Sequence, residues 1–130
     1  MELYIGGYAQ GKLEYVLRKY SDKAFIIIDG ARDYKEIEGL KQQNGIIINH
    51  FHLLMKHLLA KGENVEELFE VFMAEHPTCI IISDEIGNGI VPMEKAEREY
   101  RERVGRLLTY IASKADSVER IICGMGQKLK

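Results

Sequence analysis

A glycine-rich segment near the start of the chain is followed by a lysine, and residues of these types can bind a phosphate group. Residues 6–12 have the spacing G-x-x-x-x-G-K, the first seven positions of a phosphate-binding loop. Glycines at both ends let the backbone curl so that successive N–H groups face an anion, and Lys12 adds a full positive charge. The eighth position, where a Ser or Thr hydroxyl usually helps to hold Mg²⁺, is Leu13. An ordinary turn between a strand and a helix is the alternative interpretation.

The neighbours of this segment, which we call the glycine loop (residues 6–13), favour the phosphate-binding interpretation. An apolar run at residues 3–5 precedes it, and apolar residues at helical spacing follow it, so the order is strand, loop, helix. A helix N-terminus behind the loop would add partial positive charge. We therefore predict that a nucleotide binds here through its phosphates. The predicted contacts in the loop are Gly6, Gly7, Tyr8, Ala9, Gln10, Gly11, Lys12 and Leu13.

Polar residues follow three further apolar runs, at the points where predicted strands end. They are Asp29-Gly30, Asn49-His50 and Asp84-Glu85. In a parallel sheet the carboxyl ends of the strands share one edge, where ligands bind. We therefore predict that Asp29, Gly30 and Asn49 join the nucleotide site. Strand ends are also often polar simply because they meet water.

The alternation of strands and helices predicts an α/β fold with a mainly parallel sheet and helices on both faces. Isoleucine-rich runs without alternation favour strands that are covered on both sides. Asn64 is a predicted helix N-cap, and His76 is predicted to help cap the last carbonyls of the same helix. Predicted strands cover residues 3–5, 24–28, 45–49, 79–83 and 118–123, and predicted helices cover residues 13–20, 33–38, 51–59, 65–76 and 93–114. Residues 124–126 are predicted to form a turn, with a tail after it.

Composition bounds the remaining possibilities. The chain has 130 residues, which suggests a single domain spanning residues 1–130. Eighteen basic residues nearly balance twenty acidic ones, which argues against a nucleic-acid partner. No apolar run is long enough to span a membrane, and no signal peptide is recognisable, so we expect a cytoplasmic protein. We expect Cys79 and Cys123 to be free, buried thiols.

Residues 83–112 resemble a known family. Residues 83–92, S-D-E-I-G-N-G-I-V-P, are similar to the N-E-V-G-x-G-I-V-P signature of the CobU-type bifunctional enzymes of cobalamin synthesis. These enzymes are adenosylcobinamide kinases and adenosylcobinamide-phosphate guanylyltransferases. The resemblance continues at Arg98, Tyr100, Arg101, Glu102, Gly105, Arg106 and Ala112, and residues 123–130 resemble the family's C-terminus. The glycine loop is similar to the family's phosphate loop.

The resemblance implies a P-loop-type mononucleotide-binding fold and two reactions. The first transfers a phosphoryl group from ATP or GTP, with Mg²⁺, to the hydroxyl of adenosylcobinamide. The second transfers GMP from GTP to that phosphate through a guanylylated histidine. The partners implied are a nucleotide, a corrinoid and further copies of the chain in a homo-oligomer. The implied catalytic residues are Lys12 and Glu85, the latter at the matching position of the signature.

The sequence departs from the family pattern at several positions. Leu13 replaces the loop hydroxyl, and Asn49 replaces a carboxylate after the third strand. The region that holds the family's nucleophilic histidine, residues 30–44, contains none. The motif gives no warrant for moving that role to His50 or His52. Together with His57 these match no metal-ligand spacing, and we predict ordinary helix residues.

Two functions of different classes remain open. The first is a nucleotide-dependent transferase acting on a corrinoid, in which Mg²⁺ would depend on the phosphates, on water and on Glu85. The second is a catalytically degenerate relative that serves as a nucleotide-binding or assembly subunit. For Asp84, a site role and a structural role at the strand end are both open.

Overall fold

Six strands form one sheet in the computed structural model, which describes residues 1–33, 35–39, 45–86 and 94–130. The strand order is β2-β3-β4-β1-β5-β6, and every pairing is parallel except that of β5 with β6. The strands are β1 (Glu2–Gly6), β2 (Ile26–Asp29), β3 (Ile46–Asn49), β4 (Ile80–Asp84), β5 (Ser117–Ile122) and β6 (Met125–Lys128). The helices are α1 (Lys12–Lys19), α2 (Phe51–Ala60), α3 (Val65–Glu75) and α4 (Lys95–Lys114), with a 3-10 turn at Glu36–Gly39. The predicted α/β class is confirmed.

Helices cover both faces of the sheet, as predicted. On one face, α2, α3 and α4 pack over the apolar side chains of the strands, with Phe51, Phe69 and Leu107 at the centre. The rings of Phe51 and Phe69 meet edge to face, 4.7 Å apart. On the other face α1 covers a smaller cluster around Tyr4 and Val16. Among the described helices, none is long and apolar enough to cross a bilayer.

Two predictions about the edges of the sheet are wrong. β2 was expected to be covered on both sides, but it is an edge strand and Ile26 and Ile27 are about two-fifths exposed. The segment after residue 124 was expected to be a turn and a tail, but Met125–Lys128 forms β6. A left-handed turn at Cys123 and Gly124 reverses the chain so that β6 can pair with β5. Cys79 is buried as predicted, whereas Cys123 is exposed on this turn.

The helix ends follow their sequence signals in part. The Asn64 side chain accepts a hydrogen bond from the N–H of Glu67, which confirms the predicted N-cap. At the other end of α3 the cap is the backbone N–H of His76, which donates to Phe72 O. His76 therefore caps the helix, as predicted, and does so through its backbone N–H rather than its side chain. Its ring packs against Phe72, and its buried Nδ1 forms no hydrogen bond with the described part of the chain.

Charged residues of α4 form ion pairs both along the helix and with α3. Arg106 and Glu102, four residues apart, form an ion pair at 3.0 Å. Arg103 instead reaches Glu66 on α3 at 2.8 Å, because the packing of α3 beside α4 brings that carboxylate closer. Residues 87–92 of the stretch that resembles the family signature, and the predicted helix start at residue 93, lie outside the described residues.

A polar cluster joins α1 to the sheet. Lys19 of α1 bonds to Glu119 of β5 and to the hydroxyl of the fully buried Tyr4. The hydroxyl of Tyr15 donates to the second oxygen of Glu119 at 2.6 Å. Burial would raise the pKa of Glu119, but the hydrogen bonds from Lys19 and Tyr15 outweigh it and hold that pKa below its ordinary value.

This cluster predicts an acid-dependent loss of stability. Because the pKa of Glu119 is lower in the folded protein, its contribution is complete above its ordinary value of 4.5 and is lost as the pH falls through the folded value. We expect the free energy of unfolding to decrease below about pH 4.5. A Glu119→Gln variant should be less stable at pH 7 and show a shallower decrease in acid. Urea titrations from pH 3 to pH 7 measure the free energy of unfolding of both proteins. If it decreased equally with falling pH in the wild type and in Glu119→Gln, the prediction would be contradicted.

Candidate functional site

The glycine loop connects the carboxyl end of β1 to the first residue of α1. Ala9 and Gly11 adopt left-handed conformations, with φ of 54° and 78°, which turn the chain sharply into the helix. Among the described residues, the backbone N–H groups of residues 8–12 donate no hydrogen bond to another protein atom. The loop therefore presents a run of unpaired donors at a helix N-terminus, as an anion site requires.

Lys12 lies inside this loop. Its side chain is only 8% exposed, and Nζ donates to Gly7 O at 2.7 Å and to Gly6 O at 3.4 Å. The same ammonium forms an ion pair with Asp84 Oδ1 at 2.6 Å. Lys12 thus joins the loop after β1 to the end of the neighbouring strand β4, and its charge is placed where a bound phosphate would meet it.

The β5–β6 turn supports the loop from the other side. Gln10 accepts two backbone hydrogen bonds from this turn, from Cys123 N–H to its side chain and from Gly124 N–H to its main chain. The Tyr8 side chain beside it is 85% exposed. No sequence pattern indicates this contact, since the sequence predicts a turn and a tail rather than a strand after residue 124.

Asp84 is a member of the site whose role the sequence left open. Its second carboxylate oxygen lies 3.5 Å from His52 Nε2, and its backbone N–H donates to His52 Nδ1 at 3.2 Å. Burial lowers the pKa of His52, with a smaller opposing effect of Asp84, so that His52 is a neutral imidazole. The side chains of Lys12, Asp84 and His52 therefore form one connected group across β1 and β4.

Glu85, predicted to be catalytic, lies next to this group and has a different partner. Both carboxylate oxygens bond to the guanidinium of Arg120 on β5, at 2.6 and 3.1 Å. The backbone N–H of Glu85 donates to Gly6 O at 2.8 Å. Glu85 therefore connects β4 with β5 beneath the loop. Arg120 was not predicted, because a single arginine inside an apolar run carries no motif.

Asp29, Gly30 and Asn49 meet His50 at the far end of the same edge. Asp29 Oδ1 lies 2.9 Å from His50 Nδ1, and Gly30 N–H donates to Asn49 O at 2.8 Å. His52 lies in α2, as predicted, whereas His50 lies just before this helix, as its N-cap. His50 precedes α2 in a left-handed conformation, and His52 is buried against Asp84.

These contacts place all the predicted site residues on one edge of the sheet, which we call the carboxyl edge. Neighbouring strands lie about 4.8 Å apart, so the distance across β2, β3, β4 and β1 is roughly 15 Å. Each described carboxylate on this edge is already paired: Asp29 with His50, Asp84 with Lys12 and Glu85 with Arg120. Across the described residues, no group of three His, Cys, Asp or Glu side chains could hold a metal ion.

The larger cavities do not coincide with this edge. One of about 650 Å³ lies between α3 and α4, beside Glu70 and Arg103, and one of about 520 Å³ opens at the opposite edge of the sheet, beside Glu2 and Phe25. A smaller one of about 240 Å³ lies next to Glu85, between His52 and Tyr100. Chemistry rather than volume therefore identifies the carboxyl edge as the candidate site.

Comparison with protein families identifies the group to which this fold and edge belong. A model described as cobinamide kinase / cobinamide phosphate guanyltransferase, CobU, matches residues 18–129. The chain belongs to the CobU family. The match covers most of the described carboxyl edge and begins after the glycine loop, so the loop is supported by its own geometry.

Two curated relatives match shorter stretches. The bifunctional adenosylcobalamin biosynthesis protein CobU of Salmonella typhimurium is 29% identical over 70 residues, which cover 51% of this chain and 39% of that protein. The protein of the same name from Escherichia coli is 33% identical over 51 residues, covering 39% of this chain and 28% of its own length. The matched stretches thus span well under half of either relative.

Proposed function

We propose that this CobU-family protein acts in cobalamin biosynthesis, where it binds ATP or GTP at the glycine loop and transfers a phosphoryl or nucleotidyl group to adenosylcobinamide. The observation that carries the proposal is the position of Lys12. Its ammonium is held inside a loop of unpaired N–H groups, at the carboxyl edge of a parallel sheet. The resemblance of residues 83–112 and the family match support the corrinoid as acceptor.

The electrostatics of the loop favour a polyphosphate. The present partners of Lys12 Nζ are two backbone carbonyls and one carboxylate, all of which are acceptors that phosphate oxygens can replace. A phosphate in the loop would also receive N–H groups of residues 8–12 and the positive end of α1. Phosphoryl transfer depends mainly on such positioning and charge stabilisation.

Mg²⁺ would enter with the nucleotide. Leu13 offers no oxygen, and the carboxylates of Asp84 and Glu85 are already engaged. The phosphates and water would therefore supply most of the ion's ligands. No step of the proposed transfer reaction requires a protein side chain to bind Mg²⁺.

A catalytically degenerate binding or assembly subunit is the second candidate. The ion pairs that occupy Asp84 and Glu85 favour it, since both carboxylates stabilise the fold without substrate. The exposed apolar residues at the edge strands, Ile26, Ile27 and Met125, are compatible with a homo-oligomer. In this alternative the loop would still bind a nucleotide, but no product would form.

Nucleotide binding and turnover can be tested separately. We expect millimolar GTP or ATP with Mg²⁺ to raise the melting temperature, because a ligand at 100 times its dissociation constant stabilises by about 2.7 kcal/mol. We expect mass spectrometry to detect a phosphorylated or GDP-linked corrinoid after incubation with adenosylcobinamide. Stabilisation without product would favour the binding subunit. An unchanged melting temperature with both nucleotides would contradict the nucleotide site itself.

A further inference from the structure

The contact between His50 and Asp29 suggests a role beyond shaping the edge. We propose that His50 Nε2 accepts the proton of the substrate hydroxyl during group transfer, and that Asp29 is the residue that positions it. This inference rests on the proposed function. Neither the sequence motifs nor the family match assigns a catalytic role to His50 or a positioning role to Asp29.

The hydrogen bond fixes which nitrogen is available. Burial would raise the pKa of Asp29, but hydrogen bonds from His50 and from the Ala31 N–H outweigh it and hold that pKa below its ordinary value. An ionised Asp29 can only accept, so His50 Nδ1 carries the hydrogen and Nε2 keeps its lone pair. The His50 side chain is 41% exposed, and Nε2 forms no hydrogen bond with the described part of the protein.

The backbone holds the imidazole in this position at an energetic cost. His50 has φ of 53°, a left-handed conformation that is uncommon for a residue with a side chain. Gly30 packs so tightly against it that an added Cβ would come closer to His50 O than the 3.0 Å that real Cβ atoms keep. Such strain persists where the surrounding structure enforces it, and it is concentrated at functional sites.

His50 lies at a suitable distance from the loop. It follows β3, and Lys12 follows β1, so two strand spacings separate them, or roughly 10 Å. His52 and Asp84 lie between them: the rings of His50 and His52 are 6.1 Å apart, and Asp84 contacts both His52 and Lys12. A triphosphate in the loop would extend its terminal phosphate along this edge, with the acceptor on the His50 side.

The charged groups around His50 are consistent with proton acceptance. Asp29 faces it from the last position of β2, with Arg32 3.4 Å from the second Asp29 oxygen. The neutral His52 faces it from α2 and adds no positive charge. The negative Asp29 therefore stabilises the imidazolium that proton transfer creates.

The chemical step balances without a further reactant. The oxygen–hydrogen bond of the acceptor hydroxyl breaks, and its proton moves to His50 Nε2. The oxygen forms a bond to the terminal phosphorus, and the bridging phosphorus–oxygen bond breaks to release the nucleoside diphosphate. His50 then returns the proton to solvent. General base catalysis of this kind contributes roughly 10²–10⁴-fold to a rate.

The test compares His50→Gln, Asp29→Asn and the control His57→Gln, in which the altered histidine lies in the last turn of α2. We expect kcat for corrinoid product to fall by about 10²-fold or more in His50→Gln and by less in Asp29→Asn. His57→Gln should behave as wild type. The nucleotide-dependent rise in melting temperature should be the same in the wild type, His50→Gln and His57→Gln, because His50 lies two strand spacings from the loop and His57 lies in the last turn of α2.

The pH profile separates a proton acceptor from a structural residue. In the wild type, we expect kcat/KM to fall at acid pH, and this acid limb should be absent from His50→Gln. Full activity of His50→Gln, or an unchanged acid limb, would overturn the inference and leave the proposed function intact. A nucleotide or phosphate attached covalently to His50 would also overturn it, because the residue would then be a nucleophile. A wild type that binds nucleotide without forming product would overturn the inference together with the transferase proposal.

Discussion

Replacing Lys12 by methionine is expected to abolish nucleotide-dependent stabilisation and to lower product formation by at least about 10²-fold. Methionine keeps the apolar stem of the side chain but removes the ammonium that is directed into the loop. The unpaired backbone N–H groups of the loop remain in this variant, so any residual nucleotide binding measures the contribution of these groups. Differential scanning fluorimetry with GTP and ATP, together with the corrinoid product assay, reads out both effects.

The same substitution will also reduce stability, and this has to be separated from function. It leaves Asp84 without its cation in a position only 16% exposed, which can cost up to about 3 kcal/mol. Adding Asp84→Asn removes the orphaned charge, so the double variant should recover most of the melting temperature without nucleotide. It should still fail to respond to GTP or ATP.

Two controls complete the Lys12 experiment. Lys23→Met removes an exposed lysine at the opposite edge of the sheet and should leave binding and stability unchanged. Asp84→Asn alone leaves Lys12 available to phosphate, and it should still bind nucleotide. A nucleotide response of normal size in the Lys12→Met variant would refute the assignment of the loop as the phosphate site.

Replacing Gly6 by alanine is expected to destabilise the protein by about 2 kcal/mol or more. The added Cβ would lie closer than 3.0 Å to the backbone oxygen of Ile121, on the neighbouring strand β5. A backbone atom in a central sheet cannot move aside as a flexible side chain can. The strands β1 and β5 would have to separate at the point where the loop begins. Urea unfolding of the variant measures the loss.

Two other glycines provide matched controls. The nearest neighbour of a Cβ at Gly7 is the Gln10 side chain at 3.6 Å, an ordinary contact, so Gly7→Ala should change stability by no more than about 0.5 kcal/mol. Gly105 lies inside α4 with nothing within 4 Å of the added atom, and Gly105→Ala should stabilise by about 0.5–1 kcal/mol. Equal stabilities of the Gly6 and Gly7 variants would contradict the prediction, because β5 would then be able to move away from the added Cβ.

The local features of this protein could be predicted from its amino-acid sequence. Isoleucine-rich runs identified β3 and β4, helical spacing identified α2 and α3, and the spacing of Gly6, Gly11 and Lys12 identified the loop. Each of these signals depends on neighbours within a few residues, where periodicity and backbone sterics act directly. The resemblance of residues 83–112 identified the family, which the comparison confirmed.

The side-chain pairs of the carboxyl edge could be identified only from the tertiary structure. The Lys12–Asp84, Glu85–Arg120 and Asp29–His50 pairs each join residues 21 or more positions apart in the chain, and strand order brings them together. The edge position of β2 and the pairing of β6 with β5 also follow from the strand order. Short-range patterns specify each element but not its neighbours, because strand order depends on how the whole set of apolar faces is buried together. The chemistry of the carboxyl edge is therefore a property of the packed sheet.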